Sequence, residues 1–372
     1  MHILFAGGGT AGHINPALAI AGYVKEKQPD AKISFIGTAK RLESRLVPEA
    51  GYDFYTIDVE GFQRSLSLKN IRRNLSAAYK AVKASHDARR LLERLKPDLV
   101  VGTGGYVSGP VVRQAQKLGI KTAIHEQNAY PGVTTKMLSE KADAVMLAMP
   151  EAERHLKLRA KPYITGNPVR QSVLSADRER ARKALGIDER PMILSFGGSL
   201  GARAINEAAA DLIAWHWKSG SLFHFHGAGS SGYKDMQRLL AEKKVVLGRA
   251  PTVRFSEYIN DMDLCMAAAD LVLCRAGAST ISELTAIAKP SILVPSPNVT
   301  ANHQEKNARV LADQGAARLL LEKDCVGDTL YTAAESLLRD KPRRDGMVRA
   351  LNSMAVPDAG EKIYETLMEI VK

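Results

Sequence analysis

Twice along the chain a short β-rich run breaks into glycines and then into a helical pattern. ILFA runs into GGGTAGH at 3–13, and MILSF runs into GGSLGAR at 192–203. A strand that turns through glycine into a helix opens a βαβ unit, and parallel sheets are built from such units. The helix start it creates presents free N–H groups and the positive end of the dipole, a seat for phosphate. Around the first motif, β-rich runs at 2–6, 32–36, 98–102, 121–125, 143–147 and 161–165 alternate with helical patterns. Around the second they stand at 191–196, 222–226, 252–255, 270–274, 291–294 and 317–320. The pattern predicts an α/β fold of two doubly wound Rossmann-like domains facing across a cleft, and 372 residues suit two domains of ordinary size. Gly166-Asn167-Pro168 marks the boundary, because the residue before proline avoids the α region. The expected domains are 1–165 and 166–356, with a C-terminal helix at about 357–372 crossing back onto the first.

Charge narrows the partners. The net charge is +12, and residues 64–96 hold ten basic side chains against two acidic ones, a concentrated face that attracts anions. Apolar residues at helical spacing (Leu68, Ile71, Leu75, Tyr79, Val82, Leu92, Leu95) predict an amphipathic helix over 68–96, its C-terminal half packed on a sheet. Just before it, Phe62, Leu66 and Leu68 are interleaved with Arg64, Lys69, Arg72 and Arg73, a pattern suited to an anionic lipid surface. A nucleic-acid partner is not expected: it leaves the glycine loops unexplained, and aromatics for base stacking are only 6% of the chain. No apolar run approaches the ~20 residues that span a bilayer, and no secretory leader precedes the first strand, so a cytosolic protein is expected. Cys265, Cys274 and Cys325 lack metal-site or disulfide spacing and read as buried, reduced thiols.

Gly7-x-Gly9-x-x-Gly12 spells the dinucleotide fingerprint, which expects an acidic residue at the end of the second strand to hold ribose hydroxyls. That strand ends instead in Gly37-Thr38-Ala39-Lys40, with no carboxylate, which argues against a nicotinamide dehydrogenase. Further glycine loops at 102–109 and after His125-Glu126-Gln127-Asn128 suggest a second phosphate-bearing partner in the first domain. Asp261-Met262-Asp263 imitates a D-x-D metal motif but reads better as acids in the first turn of a helix. Thr280-Ile281-Ser282-Glu283 spells a capping box.

Taken together, GGGTAGH, GTGGYVSGP, HEQN, GNPVR, FGGSLGAR, CRAGASTISEL and NHQEKNA stand in the order and spacing of one family. The chain resembles the MurG family, the N-acetylglucosaminyltransferases of peptidoglycan synthesis, which have the GT-B fold. The likeness runs from residue 3 to about residue 310, with Ala11 where many members carry glycine and Leu200 where many carry glutamine. It implies inverting, metal-independent transfer of GlcNAc from UDP-GlcNAc to the C4 hydroxyl of MurNAc in undecaprenyl-pyrophosphoryl-MurNAc-pentapeptide, that is, lipid I to lipid II. No cofactor or metal is expected. Implied partners are UDP-GlcNAc, lipid I, an anionic inner-leaflet surface and other cell-wall synthesis proteins, which places the chain peripherally on the cytoplasmic face of the cell membrane. The alternative is another GT-B sugar-nucleotide enzyme, a glycolipid glycosyltransferase or a UDP-GlcNAc 2-epimerase.

The resemblance also assigns roles. His13 is the candidate general base, since its unperturbed pKa lies near working pH, with Glu126 and His125 in reserve. Thr10, Ala11, Gly12 and Ser199 match donor-contacting loop positions, Asn128 and Gln304 donor-sugar contacts, and Arg170 a UDP contact. Ile259 matches the residue whose backbone reads uracil. Ala278, Ser279, Thr280, Ile281, Ser282 and Glu283 match the start of the nucleotide helix, with Glu283 on the ribose hydroxyls. Gly104, Gly105, Tyr106 and Ser108 match the seat of the acceptor pyrophosphate. Phe62, Arg64, Leu66, Leu68, Lys69, Arg72 and Arg73 are the expected membrane contact.

Overall fold

The computed structural model describes residues 1–60 and 68–372, and the side chains of all of these but 68–79. Phe62, Arg64 and Leu66 therefore lie outside the described residues. Leu68, Lys69, Arg72 and Arg73 fall on a helix, Leu68–Leu95, at positions whose side chains are outside the description. The chain divides into two units, Met1–Pro168 with Asp358–Lys372, and Val169–Pro357.

The first unit is a parallel sheet of β1 (His2–Gly7), β2 (Lys32–Gly37), β3 (Asp53–Thr56), β4 (Leu99–Gly104), β5 (Lys121–Glu126), β6 (Ala144–Leu147) and β7 (Tyr163–Ile164). Their order is β3-β2-β1-β4-β5-β6-β7. A strand buried on both faces must be apolar at every position, and β1 shows why the sequence run is continuous. Ile3 and Phe5 point to a core built with Ile14, Ala17 and Ile20 of helix Ala11–Lys27, while Leu4 and Ala6 point to Val107, Val111 and Leu92 on the other face. β3 was not expected: its four residues form a half-exposed edge strand, too short and too polar to stand out as an apolar run.

In its described part the helix Leu68–Leu95 buries Ala84, Ala88 and, as expected, Leu92, but not Val82. Val82 is 73% exposed; it lies two residues from Ala84, about 200° round a helix. Small alanines let this helix lie close to its neighbours. The C-terminal helix Ala359–Val371 belongs to the first unit. Ile363 and Leu367 are wholly buried in its core, each worth about 1.5–3 kcal/mol. Lys27 and Tyr23 meet Glu361 at 2.6 and 2.5 Å, but solvent screens this exposed cluster and it adds little. Apolar burial holds the helix.

The second unit is a parallel sheet of β8 (Met192–Phe196), β9 (Phe223–Gly227), β10 (Val253–Ser256), β11 (Leu271–Cys274), β12 (Ser291–Leu293) and β13 (Arg318–Leu319), in the order β10-β9-β8-β11-β12-β13. Each sheet thus reverses its winding once, between β1 and β4 and between β8 and β11. Ligands of open α/β sheets bind at the carboxyl ends of strands at such a reversal. Gly7 pairs with Gly104 at the first, and Phe196 with Cys274 at the second. The glycine motifs stand at these two points.

Candidate functional site

At the β1/β4 reversal the two glycine loops of the first unit are fitted to each other. Thr10 takes the N-cap position of helix Ala11–Lys27, with Ala11 and Gly12 in its first turn. His13 follows, partly exposed, with its Nδ1 at 3.3 Å from the Gly8 carbonyl and 3.1 Å from Thr10 Oγ1. A carbonyl only accepts, so Nδ1 carries the proton and Nε2 is the basic nitrogen. The imidazole lies against Gly104 and Gly105, both in left-handed backbone (φ 101° and 79°). A methyl group on Gly104 would stand 2.7 Å from the ring, and one on Gly105 would strike the Gly8 carbonyl. Glycine is required here by both backbone and space. Tyr106 covers Gly9, where an added methyl would meet its ring at 2.8 Å.

Two expectations at this point are corrected. Ser108 is buried and bonds Ala6 and Gly104, so its hydroxyl shapes the loop and is not presented to a ligand. A carboxylate does reach the end of β2: Glu43, six residues past the strand. It is fully buried and accepts from the Thr38 N–H and hydroxyl and from the Gly9 N–H, at 2.7–3.2 Å. Its oxygens hold the first glycine loop and, fully buried, are not presented to a ribose.

The end of β5 supplies a second correction. His125 is wholly buried, with Nε2 at 2.9 Å from the Gly166 carbonyl, and burial lowers its pKa. Glu126 is buried too, and its carboxylate accepts from Asn128 N–H and Nδ2, Gly132 N–H and Thr135 Oγ1 at 2.6–3.1 Å. Neither is open to a substrate proton. Both instead shape the loop that carries Asn128, which remains partly exposed.

In the second unit, β11 leads into helix Ala278–Ala286, whose N-cap is Gly277. The capping box is therefore out of register: Thr280 is inside the helix, and Glu283 lies in its second turn. There Glu283 Oε1 meets Arg170 Nε at 3.0 Å, joining two residues predicted separately as nucleotide contacts. Burial pushes the Glu283 carboxyl up, and Arg170 pulls against it. Ile281 is corrected: its side chain is 1% exposed and belongs to the core. Ser282 donates back to the Ala278 carbonyl at 3.0 Å, while Ser279 and Thr280 stay partly exposed. Gln304 accepts from the Ser296 N–H at 2.9 Å, which fixes its amide beside β12. Asp261 is the N-cap of helix Met262–Ala268, with Asp263 in its first turn. Cys265, Cys274 and Cys325 are buried and unpaired. Among the described residues no cluster of three His, Cys, Asp or Glu side chains is arranged to hold a metal.

Ser199 sits exposed in the loop after β8. Against it lies a loop the sequence had not singled out, Gly227-Ala228-Gly229-Ser230-Ser231-Gly232 after β9. Ser230 and Ser231 N–H bond the Ser199 and Leu200 carbonyls at 3.3 and 3.4 Å. A methyl on Gly201 would strike the Ala228 carbonyl, and one on Gly229 the Gly201 backbone. The signal was present, another strand running into glycines, but two histidines in FHFHG obscured it. Ile259 stands beside Gly227, within 3.3 Å of where a methyl there would sit.

Comparison with known proteins follows the same division. Residues 3–147 match the glycosyltransferase family 28 N-terminal domain, and residues 192–363 match the family 28 C-terminal domain. The chain is 46% identical to the UDP-N-acetylglucosamine--N-acetylmuramyl-(pentapeptide) pyrophosphoryl-undecaprenol N-acetylglucosamine transferase of Acetivibrio thermocellus, over 100% of this chain and 99% of that protein. It is 44% identical to the transferase of the same name from Ruminiclostridium cellulolyticum, over the whole of both. Among solved structures, MurG of Acinetobacter baumannii is similar with a TM-score of 0.79 and 31% identity, over 99% of each chain.

Proposed function

The chain belongs to the MurG branch of glycosyltransferase family 28, and we infer that it transfers GlcNAc from UDP-GlcNAc to the C4 hydroxyl of MurNAc in lipid I, giving lipid II. The observation that carries the reading is the Arg170–Glu283 pair at the end of β11, in a chain matching a named GlcNAc transferase over its full length. The second unit is the donor half. Glu283 takes the ribose hydroxyls, Arg170 turns to the diphosphate, Ile259 reads uracil through its backbone, and Gln304 and Ser199 contact sugar and phosphate. The first unit is the acceptor half, with Gly104, Gly105 and Tyr106 around the acceptor pyrophosphate.

The chemistry is one displacement. The acceptor C4 oxygen bonds to the anomeric carbon as the bond from that carbon to the β-phosphate oxygen breaks, so the centre inverts. His13 Nε2 takes the hydroxyl proton. UDP leaves with a negative charge that Arg170, loop N–H groups and the positive end of a helix dipole stabilise. Those fixed charges do what a metal does in other transferases. The rival, a UDP-GlcNAc 2-epimerase, would act on the donor alone. Incubating UDP-GlcNAc without acceptor separates the two: unchanged donor supports transfer, and a 2-epimer contradicts it.

The acceptor is a lipid, so the enzyme works at a membrane surface. Among the described residues no helix is long and apolar enough to cross a bilayer, and peripheral attachment through residues 62–73 fits the mixed basic and apolar sequence. Each basic residue at an anionic surface adds about 1 kcal/mol. Changing Arg64, Lys69, Arg72 and Arg73 together to serine is expected to release the protein from anionic liposomes while turnover of a short-chain acceptor persists. Wild-type binding should weaken with salt. Sedimentation of the quadruple variant with liposomes at the wild-type level would assign attachment to another surface.

A further inference from the structure

Beneath the 228–232 loop runs a buried chain of side chains whose hydrogen-bond directions are fixed from one end. Asn206 Nδ2 donates to the Ala228 carbonyl at 3.0 Å, and because a carbonyl cannot donate, the amide has one orientation. Its Oδ1 therefore faces His226 Nε2 at 3.2 Å and accepts from it. With the proton on Nε2, His226 Nδ1 accepts the Ser195 hydroxyl at 2.8 Å. That hydroxyl has given its one proton, so its oxygen accepts from His224 Nε2 at 2.8 Å. His224 Nδ1 then accepts from His216 Nε2 at 3.3 Å. The series ends at His216 Nδ1, a buried acceptor with no partner among the described residues. Every donor atom of the series has a partner, and the one atom without any is an acceptor, milder than an orphaned donor.

The scheme requires three neutral imidazoles. All five side chains are at most 3% exposed. Burial lowers His216 and His226 to about 4, and His224 well below its ordinary value with its two histidine neighbours adding to the effect.

The far end of the chain is the loop after β9. Ala228 and Gly229 N–H are held by the Ser256 and Glu257 carbonyls at 2.9 Å, and Ser230 and Ser231 N–H hold the Ser199 and Leu200 carbonyls. Asn206 also donates its own N–H to Ala202, so it stands between both loops. Among the described residues, the Ser199 and Leu200 N–H groups take no partner in the chain. We propose that the His216–His224–Ser195–His226–Asn206 series is a positioning device for the donor diphosphate. Through Asn206 it sets the 228–232 loop, and through that loop it aims the Ser199 and Leu200 N–H groups at the phosphates. The proposal rests on the reading of the second unit as the donor half.

Three variants test it in the full-length enzyme with UDP-GlcNAc and lipid I. Asn206→Ala cuts the last link and is expected to raise the KM for UDP-GlcNAc about tenfold, leaving the KM for lipid I within about twofold. His226→Leu should do the same, while His226→Gln, whose amide nitrogen can still donate to Asn206, should recover donor KM to within about threefold of wild type. A merely structural series would lower the melting point and move both KM values together, and glutamine would behave like leucine; that result overturns the proposal. If Asn206→Ala is too unstable to assay, the His226 pair decides by the same criterion. Glu283→Ala is measured alongside. Unchanged donor affinity in Glu283→Ala rejects the donor reading itself, whereas impaired Glu283→Ala beside normal Asn206→Ala and His226→Leu rejects only the positioning device.

Discussion

Replacing His13 with alanine is expected to lower kcat by about 10²–10⁴-fold, the usual contribution of a positioned general base. The expectation follows from the tautomer. The Gly8 carbonyl fixes the proton on Nδ1, which makes Nε2 the nitrogen that can take a proton from the acceptor hydroxyl. The ring is also braced by Gly104 and Gly105, so its direction is set before substrate arrives. Affinity for UDP should change little, because the proposed reading has Glu283, Arg170 and Ile259 of the second unit hold the nucleotide. The two reserve carboxylate and imidazole groups cannot substitute: Glu126 has its oxygens filled by four donors, and His125 is sealed against Gly166. Retained turnover in His13→Ala would mean that the hydroxyl proton leaves by another route, to solvent or phosphate.

Glu283→Ala should weaken UDP-GlcNAc binding by about 1–3 kcal/mol, the range for a lost hydrogen bond to a charged group. Two structural roles compete with this one, and the structure removes the first. A capping carboxylate would stand at the third residue of its helix, but Glu283 is the sixth residue of Ala278–Ala286. The second is the pair with Arg170, whose guanidinium is half exposed, so the pair adds at most ~1 kcal/mol to stability. The melting point of the variant should therefore fall only slightly. Calorimetric titration with UDP-GlcNAc, run beside a thermal melt, separates the cases. Full affinity with a lowered melting point would leave Glu283 a structural residue.

The fold was legible because strands buried on both faces are continuous apolar runs, and because a strand that breaks into glycine announces a βα turn. β3 escaped for the converse reason, since an edge strand with one wet face carries no such run. The candidate site was legible as loops but not as side chains. A motif names a segment without saying which of its members face inward, so Ser108, His125 and Glu126 were expected at a substrate and are found buried and bonded to their own loops, and Ile281 is found in the core. Glu43 was invisible because its partners are Thr38, five residues away, and the Gly9 backbone, 34 residues away, with no motif linking them. The histidines of β9 were hidden in plain view: polar residues in a strand suggest exposure, and only the three-dimensional series from His216 to Asn206 shows how they are satisfied. Val82 shows the limit of spacing alone, because a 28-residue helix can present several apolar stripes and packing selects one.

Transfer itself is the most direct test of the central claim. Purified protein is incubated with UDP-GlcNAc radiolabelled in the sugar and with lipid I, in the presence and absence of a metal chelator, and the lipid products are separated. The account predicts label in a β-linked disaccharide lipid, lipid II, at the same rate with and without chelator. No lipid-borne label, label with the donor's own anomeric configuration retained, or transfer abolished by chelation would each contradict it.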